Sequence, residues 1–562
     1  MSSAKRKICV ASGFVALVLS ACGGSDPNSD ATPAVPSSVS NVDSESATTS
    51  IPPEPVASIT GGTLRFATEA ETASLNPTSS PFDPVAEMIG AAIFDTLSAW
   101  DKEDNWVPNL AQGWTSDSTF ETWTLTLRPG VAFHDGTMLD ADAVIANLEA
   151  QQASALLGLF YANLFAQDAP FTKIDELTVE IRSNGPNSQL PAYFTTQLGM
   201  MASPAWLAAL AENPELEQLP VGAGPFEIVE RSQDTVTKLV RNESWWRDDI
   251  SPNIDALEFF PTAEPDRRAA QVLAGDVEMT HVSEVPAIEQ LRASDRVINE
   301  ENEENLVIIF NAQRAPFDDL RVRQAATAAF SRDAYTEFVS RGVVNPSDSL
   351  FNQDSPFHVA SIEQGTSDPA RAAGLVADYC ADVSESCTDG RINIELQHSG
   401  PSTAMEDIFA VVADSWGAHF NVTQQTLPQD EHINEVLFGL FDASTWRFHG
   451  FLEPELESVF FSCESVQAIS INFARNCNEH RDGLLVAQRS TDDHAERVEL
   501  WAEIQQDLHE SHHYLHLEEN VWLTASSPNV QGLCDVTTPE GVELRCVMNG
   551  ASRFSTAWLD GR

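Results

Sequence analysis

Between residues 123 and 149 the chain reads WTLTLRPGVAFHDGTMLDADAVIANLE, and the spacing of its apolar positions changes partway through. Trp123, Leu125 and Leu127 alternate with Thr124 and Thr126, which predicts a half-buried strand. Arg128-Pro129-Gly130 turns the chain, Val131 to Phe133 predicts a short return strand, and Asp135-Gly136 marks a second turn. Asp140 then caps a helix that carries Val144, Ile145 and Leu148 on one side, with Asp142 in its first turn, where negative charge suits the helix dipole. Upstream, Gly62 to Ala67 predicts a strand, Glu69 to Pro77 the polar loop after it, and Val85 to Leu97 a helix. Near the other end, Val498, Trp501, Ile504, Gln505 and Leu508 recur at helical spacing, so a helix should reach His509. From Tyr514 to Leu517 the period drops to two, which predicts a strand.

The first 57 residues follow a different pattern. Lys5, Arg6 and Lys7 precede an apolar stretch, Ile8 to Leu19, that is too short to span a bilayer as a helix. It ends in Leu19-Ser20-Ala21-Cys22, which resembles the lipobox of bacterial lipoproteins, in which the Cys is acylated and becomes the first mature residue. Residues 1–21 are therefore expected to be a signal peptide and Cys22 a lipid anchor, since several acyl chains on one residue give stable attachment. From Gly23 to about Ala57 the chain is Ser, Thr, Pro, Asp and Glu without apolar periodicity, as expected of a solvated tether over 22–57.

Composition narrows the function. At 562 residues and 42% hydrophobic content the chain has material for two or three packed domains. Its net charge of -53 repels nucleic acid and anionic lipid, but it names no substrate, because net charge governs solubility and steering rather than site chemistry. Apart from Cys9 and Cys22, six cysteines fall into close pairs: Cys380 with Cys387, Cys463 with Cys477, Cys534 with Cys546. In an exported chain such pairs are expected to be local disulfides, and none has the C-x-x-C spacing of a metal site.

One short motif points to an enzyme. Residues 509–513 read HESHH and satisfy H-E-x-x-H, with His509 and His513 as zinc ligands and Glu510 as base. That chemistry needs both histidines one turn apart on a continuous helix, and the change of period near Tyr514 places His513 at a helix-to-strand junction instead. The expectation is therefore no catalytic residue, no metal and no cofactor, with a zinc peptidase as the least favoured alternative.

The 123–149 stretch, preceded by PNLAQGW at 108–114, closely resembles the signature of family 5 solute-binding proteins of ABC transporters, the oligopeptide, dipeptide and nickel type. Other segments fit in the same order: VGAGPF at 221–226, RNESWW at 241–246, AGD at 274–276, PFDDLRVRQAATAAFSRDA at 316–334, and SPNVQG at 527–532. The resemblance spans about Thr63 to Gly532. It implies an α/β fold of the periplasmic-binding-protein-like type II, cluster C: two lobes of mixed sheets with flanking helices, plus an extra inserted domain. The first lobe would comprise 58–97, 222–305 and 520–562, the extra domain 98–221, and the second lobe 306–519. It implies, too, a monomeric extracytoplasmic lipoprotein, working with ABC permease and ATPase subunits, that captures a peptide-like or other small polar solute in the cleft between lobes. A metal chelate or haem is the alternative ligand within the family.

The same resemblance suggests which residues contact the solute. Glu69, Thr72, Gly224 and Phe226 lie on segments similar to cleft-facing loops, and Asn311 sits where the chain would cross between lobes. In peptide-binding relatives the segment corresponding to TWRFHGFLEP, 445–454, reads W-x-G-D-N-G-D-P-D, and the Asp after the first Gly pairs with the ligand's ammonium. With Glu453-Pro454 set on D-P, that Asp falls at Gly450. An ordinary dipeptide then loses its partner charge, since an unpaired ammonium buried on closure is costly. Trp446, Arg447, Phe448 and His449 stand there instead, suited to stacking on a planar group or pairing with a carboxylate.

Overall fold

A computed structural model describes residues 60–161, 163–448 and 450–561 of the chain. The expected signal peptide, tether and lipidation site at Cys22, and the candidate residue His449, lie outside the described residues. No helix among the described residues is long and apolar enough to cross a membrane.

Eleven strands form one sheet, and its two longest members, Val297–Phe310 and Tyr514–Ser526, pair antiparallel at the middle. To one side follow Met279–Val282, Thr63–Thr68, Ala256–Pro261, Val236–Arg241 and Phe226–Ser232. To the other follow Ala443–Phe448 and Arg391–Ser399, which also pairs with Phe420–Leu427. The end of Val297–Phe310 shows why the middle is secure. Leu306, Ile308 and Phe310 pack against Phe317 and Trp416 on one face, while Val307 and Ile309 pack against Phe441, Phe460 and Trp501 on the other. An unbroken apolar run is what a strand covered on both faces requires.

The hairpin and helix read at 123–149 are present. Thr122–Leu127 is an inner strand of a separate four-stranded antiparallel sheet, with Trp123, Leu125 and Leu127 buried against Val144 and Leu148 of the helix Ala141–Ala153. The Asp140 side chain accepts a hydrogen bond from the Ala143 N–H at 2.9 Å. The expected return strand at 131–133 is only a single bridge, Ala132 to Met138. The turn intervenes: Gly136 N–H donates to Phe133 O and Asp135 accepts from Thr137 N–H, which leaves too few residues for a ladder. The helix expected over 85–97 is Pro84–Phe94, capped by Asp83 and stopped where Asp95 takes a positive φ of 58°.

The three close cysteine pairs form disulfides, Cys380–Cys387, Cys463–Cys477 and Cys534–Cys546. The four-stranded sheet, Ala111–Ser116 through Thr178–Arg182, lies within the segment 98–221. Positions 305 and 519, where the chain was expected to pass between lobes, fall inside the two long strands.

Candidate functional site

A cavity of about 1160 Å³ opens over the strand Val297–Phe310. In a regular strand alternate residues would face it, yet Asn299, Glu300, Glu301, Asn302, Glu303 and Asn305 all line it. The cause is a break in register against Tyr514–Ser526 between Glu301 and Glu304, with a second between Val297 and Asn299. Such bulges re-aim side chains that pleating would send to the other face. One wall of the cavity comes from 100–106 and 544–547, the other from 350–357 and 448–457, with Asp492, His494 and Arg497 at the start of the helix His494–Ser511.

The lining is acidic, with nine carboxylates against three Lys or Arg. Each of those cations already has a partner. Lys102 meets Glu543 at 2.7 Å, and Arg497 lies in a buried pair with Glu453, its Nη1 at 2.9 Å from Oε2. Arg545 serves three acids: Asp104 at 2.8 Å, Glu303 at 3.2 Å and Glu301 at 3.6 Å. Burial, reinforced by the neighbouring Glu303, outweighs Arg545 and pushes the Glu301 carboxyl up to about 7. Glu457 is 2% exposed and has no ion pair among the described residues, and burial pushes its carboxyl up to about 8. Its Oε1 is near the Phe451 N–H at 3.5 Å, whereas its Oε2 and the Glu303 Oε2 have no hydrogen-bond partner among the described residues.

Gly450 is held against the bulge. A Cβ built there would lie 2.1 Å from the Glu303 carbonyl oxygen and 2.5 Å from the Glu304 nitrogen. The position where the motif of peptide-binding relatives sets its Asp thus has no room for any side chain, and the carboxylates arrive from the bulge beneath it.

The structure brings some of the sequence-derived candidates together and not others. Within Ala443–Phe448 the side chains alternate. Trp446 packs at a tilt against Phe473 and His432, Phe448 packs among Phe460, Phe461 and Tyr514 and lines the cavity, and Arg447 faces the other way. The Arg447 guanidinium lies 5.2 Å over the Trp522 ring and 3.8 Å from Glu69. Burial works against its charge, but Glu69 and Glu304 outweigh burial and hold it above its ordinary value. Glu69 and Arg447, 378 positions apart in sequence, are thus joined across the sheet. Thr72 is buried in the loop behind Glu69, and its carbonyl and the Glu71 carboxylate are gripped by Arg231. Of the described candidates only Phe448 lines the cavity; Glu69, Thr72, Trp446 and Arg447 do not, nor do Gly224, Phe226 and Asn311. Gly224 hydrogen-bonds to the Ile93 carbonyl at 2.7 Å, Phe226 is a core residue, and the Asn311 amide donates to the Gly439 and Phe441 carbonyls at 3.0 Å each.

Sequence reading missed His281, Glu303, Glu457 and Arg545. His281 is fully buried and sets the Glu69 loop: its Nε2 accepts from the Glu69 N–H at 3.2 Å, so its Nδ1 carries the hydrogen and donates to Gly550 O at 3.0 Å. Burial, aided by the Arg268 charge, pushes it down to about 3, so it stays neutral. A signal for the bulge was available in NEENEEN, 299–305, a polar run leading straight into the apolar LVIIF.

The HESHH helix ends at Ser511. His512 takes a left-handed conformation, and His513, 1% exposed, pairs with the Ser511 hydroxyl at 2.6 Å. His509 and His513 are therefore not on one turn of a helix, as the zinc chemistry requires.

The sequence profile described as bacterial extracellular solute-binding proteins, family 5 Middle, matches residues 105–460. The glutathione-binding protein GsiB of Salmonella paratyphi A is 24% identical over 465 residues, covering 80% of this chain and 88% of that protein. The GsiB of Pectobacterium atrosepticum is 26% identical over 298 residues, where the match spans 53% of this chain and 57% of the relative. Among solved structures, the periplasmic binding protein DppA of Helicobacter pylori in complex with the peptide STSA superposes with a TM-score of 0.76 at 18% identity, covering 89% of this chain and 98% of the other. The binding protein AgaA of A. tumefaciens R10 in complex with agropinic acid gives 0.77 at 17% identity, covering 89% and 99%.

Proposed function

Because the chain belongs to family 5 of the bacterial extracellular solute-binding proteins, we propose that it captures a short peptide, or a polar solute of that size, in the cavity over Val297–Phe310 and delivers it to the permease and ATPase subunits of an ABC importer. The cavity carries this reading. At about 1160 Å³ it exceeds the roughly 300–1,000 Å³ of ordinary small-molecule pockets, and its walls come from segments on both sides of the long central strands.

In this reading 58–97, 222–305 and 520–562 form the first lobe, 98–221 the extra domain and 306–519 the second lobe. A solute that binds the closed arrangement better than the open one draws the lobes together. Glu69 and Arg447 are the polar pair that meets across the cleft, with Thr72 in the loop behind Glu69; Phe448 lines the cavity, and Gly224, Phe226 and Asn311 hold the framework. Cys22 carries the lipid that keeps the monomer at the outer face of the membrane, and no bond of the solute is made or broken.

Native mass spectrometry of the purified full chain, before and after denaturation, tests capture directly: a small molecule is expected to leave on unfolding. Calorimetry with glutathione, di- to tetrapeptides, opines and a nickel–histidine chelate then identifies the class. Silence across the whole panel, with no copurified molecule, overturns the proposal.

A further inference from the structure

Glutathione, the solute in the relatives' names, carries two carboxylates and one ammonium, and the cavity is poorly matched to it. Each Lys and Arg in the lining is already paired with an acid, so none of the lining cations is left to receive a carboxylate. The surplus is on the acidic side. Two carboxylate oxygens there, Glu457 Oε2 and Glu303 Oε2, lack hydrogen-bond partners among the described residues, and Glu457 is 2% exposed. The two residues meet the same turn and line the same cavity: the Glu303 backbone carbonyl presses on Gly450, and Glu457 Oε1 faces the Phe451 N–H. A buried acceptor left without a donor is unfavourable unless something supplies one.

Resting on the function proposed above and narrowing it, we propose that the cavity selects solutes bearing a cationic nitrogen with several N–H donors, an ammonium or a guanidinium, and that this group docks on the Glu457 and Glu303 carboxylates. Burial pushes the Glu457 carboxyl up to about 8, and an arriving cation stabilises the ionised form by a charge-assisted hydrogen bond. The position freed of its Asp by the close approach of Gly450 is thus compensated from a neighbouring strand and from the Pro454–Phe460 segment.

The test is calorimetry of the full chain with two matched pairs: trialanine amide against its N-acetyl form, and an N-acetylated, C-amidated Ala-Lys-Ala against its norleucine counterpart. Within at least one pair the cation-bearing member is expected to bind about tenfold or more tightly, and glutathione more weakly than that member. Glu457→Gln should abolish the preference while its melting curve stays cooperative, and Glu303→Gln should reduce it. Equal binding within both pairs, no binding by any of the four, or glutathione binding as tightly as the favoured cation overturns the inference. A preference retained in Glu457→Gln overturns the assignment to that residue. The broader solute-capture reading stands apart, because it fails only when the neutral and anionic solutes of the larger panel also give no response.

Discussion

Gly450 sits where backbone meets backbone, and a methyl group there has nowhere to go. Its neighbours are the Glu303 carbonyl and the Glu304 nitrogen rather than the flexible end of a side chain, so the bulge itself must shift to admit a Cβ. Gly450→Ala is expected to destabilise the fold by about 3 kcal/mol, an overpacking effect, and to weaken solute binding because the displaced residues line the cavity. Denaturant unfolding and calorimetry read the two effects separately, and unchanged values in both would show that the approach is looser than described. At this scale the sequence was partly legible. It singled out Glu69, on a loop similar to a cleft-facing one, and Arg447, in a segment that departs from a recognisable motif, and the fold joins the two. It did not single out Glu457, which stands among other acids in PELESVF with nothing local to distinguish it. That carboxylate becomes unusual only when the chain buries it.

Elements, rather than single residues, explain how the Glu69 loop keeps its place. The loop from Glu69 to Asn76 belongs to no helix or strand, yet His281 in the strand Met279–Val282 holds its first backbone N–H, and Arg231 in Phe226–Ser232 holds Glu71 and the Thr72 carbonyl. His281→Ala removes an acceptor from beneath the loop. Amide exchange over 69–76 is expected to speed up by about tenfold, while the core of Tyr514–Ser526 stays protected. Equal rates in the variant would show that Arg231 alone suffices. Elements were the most legible level: the strand at 123–127, its capped helix and the helix-to-strand change after HESHH all follow from apolar period. Bulges escaped because a break in register is a relation between two strands, and a single strand's pattern carries only half of it.

For the whole molecule, buried titratable groups set an acidic optimum. Burial pushes Glu87 and Glu457 up to about 8 and Glu301 and Glu518 up to about 7, from an ordinary 4.5. Where the unfolded chain has lost these protons the fold still binds them, so their contribution is complete below 4.5 and declines as pH rises towards 8. The histidines act in the opposite sense. Burial pushes His281 and His516 down to about 3 and His432 and His512 to about 4, from 6.5, so stability declines as pH falls from 6.5 towards those values. The melting temperature is therefore expected to be highest at about pH 5–6.5 and lower at pH 8. A scan that rises steadily to pH 8 would contradict the buried carboxyls.

The two long strands also bear on how the molecule moves. Their ladder is out of step at three points, and the first two, at 297–299 and 301–304, fall among the residues that line the cavity. A joint bends most easily where its rungs are missing, so the sheet is softest where a captured solute would rest. Under the proposed function, recognition and stiffening then become one event: the solute acts as a splint laid along the two strands.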